Sequence, residues 1–189
     1  ASVALGAKDN HTVQAFLELL ERWNRTHALT ALPLEVRFEE LILDACALLP
    51  HLPQGPGRVV DFGTGMGIPA VVLAAARTDL EVVALDKARK KVAFVRQAAL
   101  ELGLSNLRPL HGRAELLTPL EADVGTAKAV GDLDLLLGWW QRHGRPGAPF
   151  LALKGSPESQ APEGWRLSRH PYSLPTRGER SVLRLVKVD

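Results

Sequence analysis

The 189-residue chain contains a single cysteine, Cys46, which excludes an intrachain disulfide framework. Its longest apolar runs are about ten residues, well short of the roughly 20 that a membrane helix needs. The N-terminal residues lack the basic-then-apolar order of a secretion signal. None of the six histidines falls at metal-ligand spacing, so no metal site is expected. The net charge of +2 is too small to identify a partner by itself. Together these absences point to a cytoplasmic protein without a membrane span.

What is present is ordinary for a globular protein: 46% of residues are apolar and 23% charged. The length suits one well-buried domain, with N-terminal helices over 1–53 and a core over 54–189. Cys46 lies in the apolar run Leu41–Leu49 and is expected to pack as a small core residue. The charge is unevenly spread: Lys87, Arg89, Lys90, Lys91 and Arg96 crowd one stretch. Such a cluster permits contact with an anionic polymer without demanding it.

Val13, Phe16, Leu17, Leu20 and Trp23 recur at spacings of three and four, predicting an amphipathic helix over Thr12–Trp23. A second helix is expected over Arg37–Leu49, ending before Pro50 and Pro53. A different texture then begins. Short β-branched or apolar runs at Arg58–Phe62, Glu81–Asp86, Leu107–Leu110, Asp123–Val130 and Phe150–Lys154 read as strands. Between them, helices are expected at Pro69–Arg77, Ala88–Leu102 and Asp132–Arg142. Gly125 is expected to weaken its strand. Two closing strands, Trp165–Arg169 and Val182–Val188, have no helix between them and should pair antiparallel at one edge. The class is α/β: a doubly wound, Rossmann-like sheet with an N-terminal helical extension and an antiparallel last strand.

In such a fold the ligand lies across the carboxyl ends of the strands. There the chain reads Asp61-Phe62-Gly63-Thr64-Gly65-Met66-Gly67. Glycines let the backbone approach a ligand closely, although an isolated glycine triplet can equally be a bare tight turn. A dinucleotide fingerprint spaces its glycines by two and then three. Here the spacing is two and two, with Ile68 in the third dinucleotide position. Asp61, expected at the mouth of the loop, would repel a pyrophosphate but favour a cationic ligand bearing an ammonium and a sulfonium. That chemistry is S-adenosylmethionine. Asp86 ends the next strand nineteen residues after Gly67, where its carboxylate can accept both ribose hydroxyls or cap a helix. A third contact is expected at Arg113-Ala114-Glu115: backbone or Glu115 to the adenine amino group, or merely an exposed salt bridge. Trp139 and Trp140 can stack on bases or pack in a core.

These residues resemble the RsmG (GidB) methyltransferases, which modify N7 of a guanine in small-subunit (16S) ribosomal RNA. The resemblance runs from Trp23 to Val186. It rests on Trp23-Asn24 with Leu29-Thr30, Asp44, the loop Asp61–Pro69, Leu85-Asp86, Lys90-Lys91 and Phe94-Val95. Glu101–Asn106, Arg113–Glu115, Lys128-Ala129-Val130, Ala152-Leu153-Lys154-Gly155 and Gly178-Glu179-Arg180 complete it. The chain departs at Glu40, where the family has His, at Ala28 for Asn, and at Ser181 for His. It also reads Ala127-Lys128-Ala129 for Ser-Arg-Ala, and Lys128 keeps the charge without the bidentate fork.

The resemblance implies an rRNA methyltransferase using S-adenosylmethionine; a monomer is expected. Donor contacts would come from Asp61, Gly63, Thr64, Gly65, Gly67, Asp86, Arg113, Ala114, Glu115 and Lys128. By position, Lys128 at the end of strand four, Lys154 after strand five and Arg180 in the final turn all fall at the ligand edge of the sheet. There they can hold RNA phosphates or the guanine O6 edge, or stand as solvated surface charges. Guanine N7 carries a lone pair and no proton, so no general base is required. The chain also lacks the Asn/Asp-Pro-Pro-aromatic motif of exocyclic-amine methylation, and Cys46 lies far from any sheet end, against a pyrimidine C5 mechanism. A small-molecule methyltransferase and a donor-binding protein without transfer remain open alternatives.

Overall fold

The computed structural model describes residues 5–128, 132–154 and 160–189, with Lys154 described by its backbone alone. The first helix, α1 (Ala7–His27), runs further in both directions than its apolar stripe and buries Val13, Phe16, Leu19 and Leu20. It ends on Ala28, whose φ of 46° lies in the left-handed region that Asn or Gly adopts at lower cost. The turn is then closed by a reciprocal pair. Thr30 N donates to Asn24 Oδ1 at 2.8 Å, and Asn24 Nδ2 donates to the Thr30 carbonyl at 3.0 Å.

The second helical stretch starts earlier than its spacing predicts and changes register. Leu34–Arg37 (α2) and Asp44–Cys46 (α3) flank a π-helical segment, Phe38–Leu43, and a 3₁₀ turn follows at Leu49–His51. The wider π turn buries Glu39 and Glu40 as well as Leu41 and Ile42, which a regular amphipathic stripe does not do.

Five parallel strands follow: β1 (Gly57–Phe62), β2 (Leu80–Asp86), β3 (Leu107–His111), β4 (Val124–Lys128) and β5 (Phe150–Lys154). The helices α4 (Ala70–Ala76), α5 (Arg89–Glu101) and α6 (Leu133–His143) connect them. Ala129 and Val130, expected at the end of β4, lie outside the described residues. The final hairpin, β6 (Trp165–Leu174) and β7 (Gly178–Lys187), is much longer than its apolar runs suggest. Its outer strand carries polar residues and Pro171, and an edge strand tolerates both.

Strand order is β3-β2-β1-β4-β5-β7-β6. β7 inserts antiparallel between β5 and β6, so it alone runs against the sheet and the edge strand β6 again points along β5. Alternation along the strands feeds both faces. Val59, Val82, Ala84, Leu151 and Leu153 pack with the N-terminal helices, α4 and α5. Val60, Val83, Leu85, Phe150 and Ala152 pack with α6 on the other face. Gly125 makes room rather than merely weakening β4. A Cβ there would sit 2.6 Å from Trp140 Cε3 and 2.8 Å from Phe150 Cδ2. No described helix is long and apolar enough to cross a membrane.

Candidate active site

The order reverses between β1 and β4, so the crevice at their carboxyl ends is the place for a ligand. The turn from β1 to α4 fills it. Gly63, Gly65 and Gly67 all have positive φ, at 64°, 61° and 97°. This backbone is open to glycine at little cost and strained for any side chain. Gly63 and Gly67 differ in purpose. A Cβ on Gly67 would meet Val71 Cγ2 at 3.0 Å, whereas a Cβ on Gly63 would meet nothing within 4 Å. Gly67 therefore serves close packing of α4, and Gly63 leaves open space.

Asp86 organises this region. Its Oδ2 accepts from Gly65 N at 2.9 Å, its Oδ1 from Ala88 N at 2.9 Å, and its carbonyl from Gly112 N at 3.1 Å. One residue thus ties the glycine loop, the start of α5 and the turn after β3. A carboxylate has about four lone-pair sites, so two amides leave acceptor capacity free.

Asp61 is not at the mouth of the loop, as expected from its position, but wholly buried beneath it. It points into the sheet because it pairs in register with Thr126 on β4. Thr126 Oγ1 donates to Oδ1 at 2.9 Å, and Thr64 Oγ1 donates to Oδ2 at 2.7 Å. Burial pushes its pKa up to about 7, against the opposing pull of the two hydroxyls.

A cavity of ≈ 590 Å³ opens beside the loop, within the range of small-molecule sites. Gly63, Asp86 and the turn Gly112–Glu115 form one side, while Phe62, Leu135 and Trp139 form an apolar wall. Trp139 stacks on Phe62 with ring centroids 6.3 Å apart and planes 27° from parallel. Trp139 thus lines the cavity, whereas its neighbour takes the core role. Trp140 is buried and donates its Nε1 to the Ala148 carbonyl at 3.2 Å.

The Arg113–Glu115 pair is 3.9 Å apart and exposed, so it contributes little stability although both residues line the cavity. Ala114 is set by a residue that the sequence did not single out. Buried His143 accepts from Leu120 N at its Nδ1 (3.2 Å), which leaves Nε2–H to donate to the Ala114 carbonyl at 2.6 Å. A histidine ending an amphipathic helix gives no local sign of this contact. Leu135 and Trp139 have a fainter signature: two apolar residues four apart on the solvent side of α6.

The cationic residues expected at the acceptor side are placed differently from the donor contacts. Lys128 and Arg180 are absent from the cavity wall and meet Glu40 and Asp44 instead. Lys128 Nζ donates to the Glu40 carbonyl at 2.6 Å and lies 3.3 Å from Asp44 Oδ2. Arg180 takes both Glu40 oxygens, at 2.9 and 2.7 Å, and approaches Asp44 at 3.5 Å. Arg177 adds a 2.6 Å bond to Glu40, and Tyr172 donates to Asp44. Lys154 ends β5 opposite Ser181, and its side chain lies outside the described residues.

A second, mostly apolar cavity of ≈ 370 Å³ lies between the residues around Cys46 and the strand around Tyr172. Burial, with Asp9 adding to it, pushes the Cys46 thiol up to about 11, so it is no thiolate nucleophile at neutral pH.

A family model described as rRNA small subunit methyltransferase G (GidB) matches residues 9–166. The chain belongs to this family. The ribosomal RNA small subunit methyltransferase G of Neisseria gonorrhoeae is 38% identical over 157 residues, 80% of this chain and 75% of that protein. Its counterpart from Bordetella avium is 32% identical over 185 residues, covering 92% of this chain and 82% of that one. Among solved structures, TrmN from Thermus thermophilus has a TM-score of 0.60 at 26% identity, covering 85% of this chain and 55% of that chain. The GidB match takes in the glycine loop, Asp86, Arg113–Glu115 and Lys128, and stops before β7 and Arg180.

Proposed function

We propose that this GidB-family chain transfers the methyl group of S-adenosylmethionine to N7 of a guanine in small-subunit (16S) ribosomal RNA. The observation that carries this reading is the left-handed glycine turn, held by Asp86 and underlain by Asp61, beside an aromatic-walled cavity. The open space at Gly63 admits a ligand where any side chain would intrude.

The residues fit each part of the donor. Free lone pairs of Asp86 suit the ribose hydroxyls, and the apolar wall of Phe62, Leu135 and Trp139 suits the adenine ring. The Arg113–Glu115 turn, set by His143, suits the purine edge. Asp61 suits the cationic end, since a nearby positive charge favours its ionised form. No phosphate group needs to be accommodated against this carboxylate.

When bound, S-adenosylmethionine supplies an electrophilic methyl carbon on a sulfonium. A guanine N7 lone pair aligned with that methyl would form the new bond as the carbon–sulfur pair went to sulfur, the positive charge ending on the N7-methylated guanine. No proton moves, so the chain contributes alignment rather than general base catalysis. Lys128 and Arg180, locked to Glu40 and Asp44, act as positioning residues that hold the N-terminal helices against the acceptor edge of the sheet. Lys154 stands at the same edge as a contact for RNA. The chain works as a monomer in the cytoplasm.

Tritiated S-adenosylmethionine incubated with small-subunit particles, naked 16S RNA and a metabolite pool tests the reading. Label in RNA that maps to an N7-methylated guanine by reductive strand cleavage, and that Asp86→Ala abolishes, is the expected result. Label confined to small molecules, or donor binding with no transfer at all, overturns it.

A further inference from the structure

We propose that Arg89, Arg96 and His111 form a seat for one backbone phosphate of the RNA substrate, next to the donor cavity but outside it. The inference rests on the RNA-methyltransferase reading above and adds a site to it.

Arg89, Val92 and Arg96 follow one another at spacings of three and four, so they project from one face of α5. His111 ends the neighbouring strand β3, its ring held at Nε2 by the Lys87 carbonyl at 3.1 Å. These four residues enclose a recess of ≈ 200 Å³ with no carboxylate in its wall. That volume is below the range of drug-sized or nucleotide ligands and suits a single tetrahedral oxyanion.

Charge balance points the same way. Arg22, Arg58, Arg77 and Arg108 each face a carboxylate at 2.9 to 3.4 Å. Among the described residues, neither Arg89 nor Arg96 forms such a pair. The first turn of α5 contains no acid, so Arg89, Lys90 and Lys91 crowd the positive end of the helix dipole. The one acid of α5, Glu101, is at its far end and already receives Arg22 and Gln97. An anion at the recess offsets this repulsion, and two guanidinium forks match the geometry of a phosphate.

The position gives the seat its use. Lys87 and Lys91 line the donor cavity, and the Lys87 carbonyl also holds His111, so recess and cavity share a wall. A phosphate fixed there sets the register of the RNA strand relative to the donor without reading sequence.

The test is RNA binding by the Arg89→Ala/Arg96→Ala double variant, measured as a function of salt. The expected result is an RNA affinity about tenfold lower, with the slope of log affinity on log salt reduced by about one. KM for RNA should rise while donor affinity and melting temperature match the wild type. Arg22→Ala, which removes a paired exposed arginine, should change none of these. A double variant with unchanged RNA affinity and salt slope overturns the seat. Inorganic phosphate supplies a second arm. If the double variant loses stabilisation by phosphate yet binds RNA normally, the recess holds a free anion and the RNA assignment falls. Wild-type protein that fails to methylate RNA fails the underlying reading, and that outcome is visible before any variant is made.

Discussion

Arg180 grips both carboxylate oxygens of Glu40, at 2.9 and 2.7 Å, and so fastens β7 to the π-helical turn of the N-terminal segment. Thr176 adds to this by donating its backbone N–H and its hydroxyl to the Glu39 carboxylate. Residues 137 and 140 positions apart in the chain are thereby joined across the end of the sheet.

Breaking this latch should be costly, because Arg180 loses its two short bonds and keeps only Asp44, at 3.5 Å. Glu40→Ala is expected to lower unfolding free energy by about 3–5 kcal/mol in urea titration. Hydrogen bonds from Arg180, then Arg177, hold the Glu40 carboxyl down at about 2, against an ordinary 4.5. At about 1.4 kcal/mol per pH unit, that difference contributes about 3 kcal/mol. The folded value is the lower one, so this stability is present above the ordinary value and is lost as pH falls from 4.5 towards 2. Glu40→Gln should flatten that acid limb of the stability profile.

Asp61 behaves in the opposite sense. Burial raises its folded value from 3.8 to about 7, so its stabilising protonation is fully present below 3.8 and lost as pH rises through 7. Without donor, Asp61→Asn should therefore be more stable than wild type at pH 8, on the order of 1–3 kcal/mol. With the donor the sign reverses. A cationic ligand favours the ionised carboxylate, so wild-type donor affinity should rise between pH 6 and 8 by calorimetry. The Asn variant should bind at least about tenfold more weakly, with no such rise.

Two glycines separate structure from ligand. Gly63→Ala puts its methyl into open space with φ at 64°, so stability should fall by only about 1–2 kcal/mol while donor affinity collapses. Gly125→Ala drives a methyl into Trp140 at 2.6 Å. It should cost about 1–3 kcal/mol by overpacking and leave donor affinity per folded molecule unchanged. Thermal denaturation alongside calorimetry distinguishes the pair.

The adjacent tryptophans offer a similar contrast. Trp139→Ala should remove the donor-dependent change in tryptophan fluorescence and weaken donor binding, with little loss of stability. Trp140→Ala should instead cost about 3–5 kcal/mol, since it empties the space between Gly125, Gly144 and Phe150.

Much of this protein is written locally. The alternation of β-branched runs with helical stripes specifies a parallel sheet, because strands buried on both faces must be apolar at successive positions. The acidic glycine turn and the Asp86 that follows are legible because left-handed backbone needs glycine and a strand-end acid has few other uses. Other features have no local signature. Whether Asp61 faces a ligand or the sheet depends on Thr126, a partner on a strand distant in sequence. His143 reaches Ala114, and Glu40 reaches Arg180, only after the chain has folded. The length of β6 is hidden by polar residues that an edge strand can carry. Periodicity reports the burial of one segment at a time, so the sequence by itself determined most of the elements and the position of the glycine turn. Only the tertiary structure decided which charges are spent on holding the N-terminal helices and which remain free for a ligand, because ion pairing depends on distances between segments far apart in the chain.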